Sequence, residues 1–369
     1  MKRRDFIKTG GLITAVGLSG FSIDHYKKPS NFRVRSNSFA SYKGFNLTEK
    51  TGGGFRRKFN EQDFEIMTEL GFNFARIPMS YWNWSTKEDW FTINEDVIKD
   101  IDEVIEFGKQ YKIHINLNFH RIPGYCINGR NLEPFDLFDD TSENMQKALN
   151  GAVYHWKYFA QRYKGISNDI LTFDLINEPP PMKDETRYIE IIKALVENIR
   201  EEDPERLIVV DGKDIGRNPV LGVAEMGLVQ STRGYDPMNV SHYTATWVPK
   251  HEFETFNFPA WPLTGDNGKL WDKEALREKL IKSWQPVVEK GIQVHVGEWG
   301  CYNKTPHDVA LAWMRDLLSL WKEADWGNSM WNLKGDFGIL NSGREDVKYE
   351  DYKGHKLDRK MLELLKEFK

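Results

Sequence analysis

Eight short apolar runs alternate with eight helical patterns along this chain, and strict strand-helix alternation leaves few folds open. The runs read as strands are Tyr42–Leu47, Phe72–Met79, Lys112–His120, Asp169–Asn177, Arg206–Gly212, Met238–Tyr243, Ile292–Trp299 and Asn328–Gly335. Between them lie helical stretches at Asn60–Gly71, Asn94–Tyr111, Thr141–Tyr163, Asp184–Asp203, Asp272–Gly291 and Thr305–Asp325. A weak helical region follows the fifth strand, and Gly354–Phe368 closes the chain. The stretch Asn94–Tyr111 shows the logic: Val97, Ile101, Val104 and Ile105 recur at helical spacing behind an asparagine suited to cap the first turn. Alternation implies a parallel sheet, and eight units over most of 369 residues imply a closed (β/α)8 TIM barrel in one domain. An open doubly wound sheet competes, but no G-x-G-x-x-G follows the first strand; "TGGGF" at Thr51–Phe55 lacks that spacing and reads as a loop.

In such a barrel the chemistry sits where the strands end, at their C-terminal rim. Strand two ends near Arg76, strand three at His120, strand four at Asn177 and Glu178, strand six at His242 and Tyr243, strand seven at Glu298 and strand eight near Trp331. Each alone has a structural reading. Six polar groups on one rim are hard to explain as packing. Two carboxylates on strands four and seven face each other across the mouth, as glycosidic cleavage requires: one protonates the leaving oxygen and the other attacks or stabilises the anomeric carbon. Metal binding is the other use of paired carboxylates. No histidine pair stands at ligand spacing, and His295, three residues before Glu298 on a strand, points the other way. No metal or organic cofactor is called for. Net charge is −4, with both signs mixed, so no basic stripe suggests nucleic acid.

"FDLINEPP" (Phe173–Pro180), "VGEWG" (Val296–Gly300) and "WNLKGDFGIL" (Trp331–Leu340) resemble signatures of glycoside hydrolase family 5, the cellulase family. "GFNFARIP" and "NFHRIPG" are similar to its second- and third-strand motifs. The resemblance runs in order from about Tyr42 to the C-terminus. It implies a (β/α)8 barrel that hydrolyses β-glycosides with retention, endo-β-1,4-glucan hydrolysis being the expected activity and another sugar or exo action the alternative. Carried over, Glu178 becomes the acid/base and Glu298 the nucleophile. Asn177 would bond the sugar 2-hydroxyl, Arg76 would hold Glu298 ionised, His120 and His242 would line the cleavage subsite, and Trp331 would be its platform. The family usually shows His–x–Tyr at strand six, with the tyrosine on the nucleophile. Here the motif reads His242–Tyr243–Thr244, so either a bulge re-aims Tyr243, or Thr244 takes over, or the contact is missing. A non-catalytic glycan-binding barrel is the reading from another class.

The rim loops are aromatic. "SYWNWSTKEDW" carries Tyr81, Trp82, Trp84 and Trp90, and the long loop after strand six carries Trp247 and Trp261; each ring either packs its loop or meets sugar, with Trp247 counted among the substrate contacts. Strict alternation sends Asn177 and Glu178 to opposite faces, so the backbone is expected to leave strand geometry there, with Pro179 biasing the residue before it. Cys126 and Cys301 fall on opposite sides of the ring and are expected to be free thiols. At the N-terminus, Arg3–Arg4 followed by a mildly apolar, glycine-rich stretch resembles a twin-arginine export signal, the alternative being a basic tail. The apolar run is too short for a spanning helix. Residues 1–38 are thus expected to be signal and linker, and 39–369 the catalytic barrel of an exported, carbohydrate-binding protein.

Overall fold

The computed structural model describes residues 39–52, 57–139, 141–255 and 257–369. The proposed export signal, and most of the "TGGGF" loop, lie outside the described residues. Eight strands form the ring: β1 (Lys43–Asn46), β2 (Phe74–Ser80), β3 (His114–Ile122), β4 (Leu171–Asp174), β5 (Ile208–Asp211), β6 (Val229–Gly234), β7 (Val294–Trp299) and β8 (Gly327–Met330). Neighbours pair in parallel all the way round, and β1 pairs with both β2 and β8, which closes the barrel and leaves the ring no free edge.

The outer layer is built from α1 (Glu61–Leu70), α2 (Glu95–Tyr111), α3 (Ser142–Arg162), α4 (Thr186–Glu202), α5 (His307–Glu323) and α6 (Arg359–Glu367). Local chemistry sets their ends. Asn60 and Asn94 each accept a backbone N–H two residues on, capping α1 and α2, and Gly71 closes α1 in the left-handed region at φ 86°. The apolar stripe of α2, Ile98, Ile101, Val104 and Ile105, is buried against the ring. The helix expected over Asp272–Gly291 is instead broken into Lys273–Leu276, a π-turn Arg277–Ile281, a tight turn Lys282–Trp284 and Gln285–Val288. Pro286 has no N–H to give the preceding turn, so a continuous helix loses a rung there.

Strand six is a correction. The stretch Met238–Tyr243 is not a strand: Met238–Ser241 is a single helical turn behind Pro237, and the sixth strand lies earlier, at Val229–Gly234. That strand is polar on both faces. Gln230 turns outward and bonds the backbone of Val220 in both directions, Thr232 bonds Gly216, and Ser231 and Arg233 turn inward. It therefore lacks the apolar signal by which the other strands are read.

The same alternation sorts "FDLI". Phe173 faces outward onto Trp156 of α3, ring centroids 5.0 Å apart, while Asp174 points into the barrel. Near its top the barrel interior is charged. At its base it is aromatic: Phe39, Tyr42, Phe74, His114 and His295 stack together, and burial pushes both histidines down to about 3, so they sit there neutral.

Candidate active site

The register of the ring brings one polar side chain from almost every strand to the same level. Asn46 on β1 lies opposite Arg76 on β2, Asn118 on β3 opposite Asp174 on β4, and Arg233 on β6 opposite Glu298 on β7. Arg76 is buried at the centre. It donates to Asp174 (2.8 Å), to Asn46 (3.1 Å), to Glu298 (2.5 Å) and to Asn177 Oδ1 (2.9 Å). A second buried guanidinium, Arg233, donates to Glu178 (2.8 Å), to Asn177 Oδ1 (2.9 Å), to Ser231 and to both oxygens of Asp211. Its Nη2 also stands 3.6 Å from Glu298. One guanidinium thus spans the carboxylates of strands four and seven.

The two glutamates sit in different surroundings. Glu298 takes a charge-assisted bond from Arg76 and a 3.2 Å bond from the Tyr235 hydroxyl, with His120 Nδ1 at 3.9 Å. Glu178 has Arg233 as its only side-chain donor among the described residues. Burial and then the Glu298 charge outweigh that bond and push the Glu178 carboxyl up to about 7. Burial, seconded by Glu298, also raises the Tyr235 hydroxyl well above its usual range, so it remains a donor. His120 is pushed well below its usual range by burial and by Arg121, Arg76 and Arg233, and His242 falls to about 4 by burial; both are neutral.

The backbone leaves the strand where it has to. Strand β4 ends at Asp174, and Glu178 has φ 48°, in the left-handed region. Three contacts hold that conformation. The Glu178 N–H donates to Asp211 (2.8 Å), the Tyr125 hydroxyl donates to the Glu178 carbonyl (2.6 Å), and the Ile215 N–H donates to the Pro179 carbonyl (2.9 Å). Asn177 and Glu178 therefore both reach Arg233. On β7 the register slips between Val296 and Glu298, and Gly297 fills the bulge. A Cβ there would stand 2.4 Å from Ser231 Oγ and 3.0 Å from Arg233 Nη1.

Of the residues named from sequence, Arg76, His120, Asn177, Glu178 and Glu298 converge, and Trp331 stacks on His120 with centroids 5.5 Å apart. His242 reaches the site from beyond β6, edge-on to Tyr235 at 4.9 Å. Tyr243 does not touch Glu298; its ring packs on exposed Phe258 instead. The tyrosine on Glu298 is Tyr235, which sequence reading missed with its strand. The end of β6 reads Arg233–Gly234–Tyr235, so the tyrosine keeps its usual place and an arginine stands where the family pattern has histidine. Arg233 was missed with it, and an arginine two residues before a tyrosine and an Asp–Pro is the signal that marks the pair; Asp174 and Asp211, at the ends of β4 and β5, were missed as well. Trp247 is 58% exposed at the rim, 5.0 Å from Tyr302. Tyr81, Trp84 and Trp90 are buried loop anchors, and Trp82 has Lys87 and Arg121 against its ring. Cys126 and Cys301 are free and buried. Among the described residues no cluster of His, Cys, Asp and Glu is arranged to hold a metal ion, and no helix is long and apolar enough to cross a membrane.

A parallel barrel carrying a pair of glutamates at the ends of its fourth and seventh strands, spanned by one arginine, has the arrangement of a glycoside hydrolase. Residues 35–336 match the cellulase family, glycosyl hydrolase family 5, and the chain belongs to it. It is similar to endoglucanase C of Acetivibrio thermocellus, 27% identical over 79% of this chain and 88% of that protein. It is also similar to cellodextrinase A of Ruminococcus flavefaciens, 24% identical over 69% of this chain and 72% of that protein. A crystal structure of a glycoside hydrolase, 41% identical, superposes with a TM-score of 0.82 over 89% of this chain and 99% of its own.

Proposed function

We propose that the protein is a retaining β-glycoside hydrolase acting on β-1,4-glucan chains or their oligosaccharides, with Glu178 as acid/base and Glu298 as nucleophile. The different surroundings of the two glutamates carry this reading: Glu298 accepts from Arg76 and Tyr235, while burial and the Glu298 charge push the Glu178 carboxyl up to about 7. In the first half of the reaction a Glu298 oxygen bonds to the anomeric carbon while the glycosidic C–O bond breaks and its oxygen takes the Glu178 proton. In the second half, water adds to that carbon, the ester bond to Glu298 breaks, and the Glu178 carboxylate takes the water proton. Asn177 suits the sugar 2-hydroxyl because its Oδ1 is fixed by both arginines while its buried Nδ2 has no partner among the described residues. Neutral His120 and His242 line the subsite, Trp331 is its platform, and Tyr243 and exposed Trp247 belong to the outer rim where further sugars lie. The names of the relatives, an endoglucanase and a cellodextrinase, support a glucan.

The test is reducing-sugar release over a panel of glucans, mannans and aryl glycosides, with proton NMR of the first product formed. The expected result is turnover on cellulose-type oligosaccharides with the β-anomer appearing first. Initial release of the α-anomer would overturn the retaining mechanism, and tight glycan binding without turnover would favour a binding barrel. Arginine in place of histidine at the end of β6 favours a second reading, in which the same mechanism serves another sugar; turnover confined to mannan or galactoside would select it. The paired arginines at the N-terminus support action outside the cytoplasm. Residues 1–38 fused to a reporter should export it through the twin-arginine route, and retention of the reporter in the cytoplasm would refute that.

A further inference from the structure

Arg233 has a task that the reaction scheme leaves unassigned. Four carboxylates, Asp174, Asp211, Glu178 and Glu298, share two guanidiniums, Arg76 and Arg233, inside the barrel mouth. Arg76 serves Glu298. Arg233 alone reaches Glu178, and it does so through Nε, while both terminal nitrogens are pinned by Asp211, Ser231 and Asn177. Its direction is therefore fixed before any substrate arrives. Asp211 completes the brace, because one of its oxygens takes the Arg233 bond and also the Glu178 N–H. Side chain and backbone of Glu178 thus hang from one Arg233–Asp211 unit.

We propose that Arg233 is the positioning residue for Glu178: it fixes the carboxyl's direction across from Glu298 and supplies the counter-charge Glu178 needs when it works as a base. This rests on the roles proposed above for the two glutamates. The carboxyl must hold a proton in the first half-reaction and be without one in the second. Ester formation removes the Glu298 charge, and Glu178, still bonded to Arg233, then faces one repelling carboxylate fewer. The balance tips toward ionised Glu178 at the moment a base is needed. The other groups near Glu178 do not change between halves: Asp211 on β5, Tyr235 beyond β6, Tyr125 on the hairpin after β3, and Arg217 on the loop after β5.

The test compares wild type with Arg233→Lys on two aryl β-cellobiosides. Phenol is a leaving group that needs a proton; dinitrophenol is not. The lysine variant keeps the charge and loses the fork. Its kcat/KM on the phenyl substrate is expected to fall at least about tenfold further than on the dinitrophenyl substrate, within the range general acids contribute. The alkaline limb of its pH profile should move upward, since Glu178 loses its direct donor. Asp211→Asn, which keeps the shape of the brace and weakens it, should show the same preference to a smaller degree. Equal losses on both substrates in both variants, with the alkaline limb unmoved, would overturn the proposal and leave Arg233 a packing residue. If wild type cleaves neither substrate, the functional reading itself fails, which is a different result.

Discussion

Glu298→Ala is expected to cut kcat on an aryl β-cellobioside by about 10⁵-fold or more, the scale of losing a covalent nucleophile. No neighbour can take its place. His120 is neutral and 3.9 Å away, Asp174 is tied to Arg76 below, and Asp211 is tied to Arg233. The fold should survive, because Asp174 and Asn177 still receive Arg76, and a near-wild-type melting curve would show it. Added azide should restore turnover of a dinitrophenyl substrate and give the α-glycosyl azide, because the small anion attacks from the side the carboxylate vacates. Full activity in the variant, or rescue giving the β-azide, would remove Glu298 from the nucleophile's role.

The second large effect belongs to Glu178. In wild type, kcat/KM should decline as pH rises through about 7, the value to which burial and Glu298 push this carboxyl. The direction follows from the sign. The shift is upward, so the proton is present below the shifted value and lost above it, and the form that serves as acid disappears on the alkaline side. Glu178→Ala should remove that limb. It should also slow poor leaving groups by about 10²–10⁴-fold while sparing good ones, since only poor ones need the proton. An alkaline limb that persists in Glu178→Ala would assign the titration to another group.

Much of this site was legible before any coordinates, and what was missed has a physical cause. Seven strands declared themselves because one face packs on the helix layer: Phe173 and Leu171 on β4, Val294 and Val296 on β7. Their ends then named Arg76, His120, Asn177, Glu178 and Glu298, which the structure brings together. Strand β6 did not declare itself, because Gln230 and Thr232 on its outer face bond backbone that crosses above them instead of packing on a helix. The apolar Met238 and Val240 nearby then drew the assignment some nine residues along. That shift hid Arg233 and Tyr235 and made the family's tyrosine look displaced when it was in place. The expected departure from strand geometry at Glu178 is present at φ 48°; it followed from side-chain alternation together with the need for Asn177 and Glu178 to face the same cleft. The clamps that enforce the turn were not foreseeable, because strand order sets β3, β4 and β5 side by side but does not say that the Tyr125 hydroxyl, on the hairpin after β3, and the Asp211 carboxylate aim at the Glu178 backbone.

Those clamps bear on any attempt to move this chemistry elsewhere. The segment that carries the acid has little hold on its own posture. A hydroxyl from the hairpin after β3 supports its carbonyl, a carboxylate at the end of β5 supports its amide, and an arginine from β6 aims its side chain. Transplanting "NEPP" into a foreign barrel would carry the glutamate and leave its scaffold behind. The transferable unit is four consecutive strand ends, and a redesign that respects that boundary can recast the outer loops freely while the carboxyl keeps its aim.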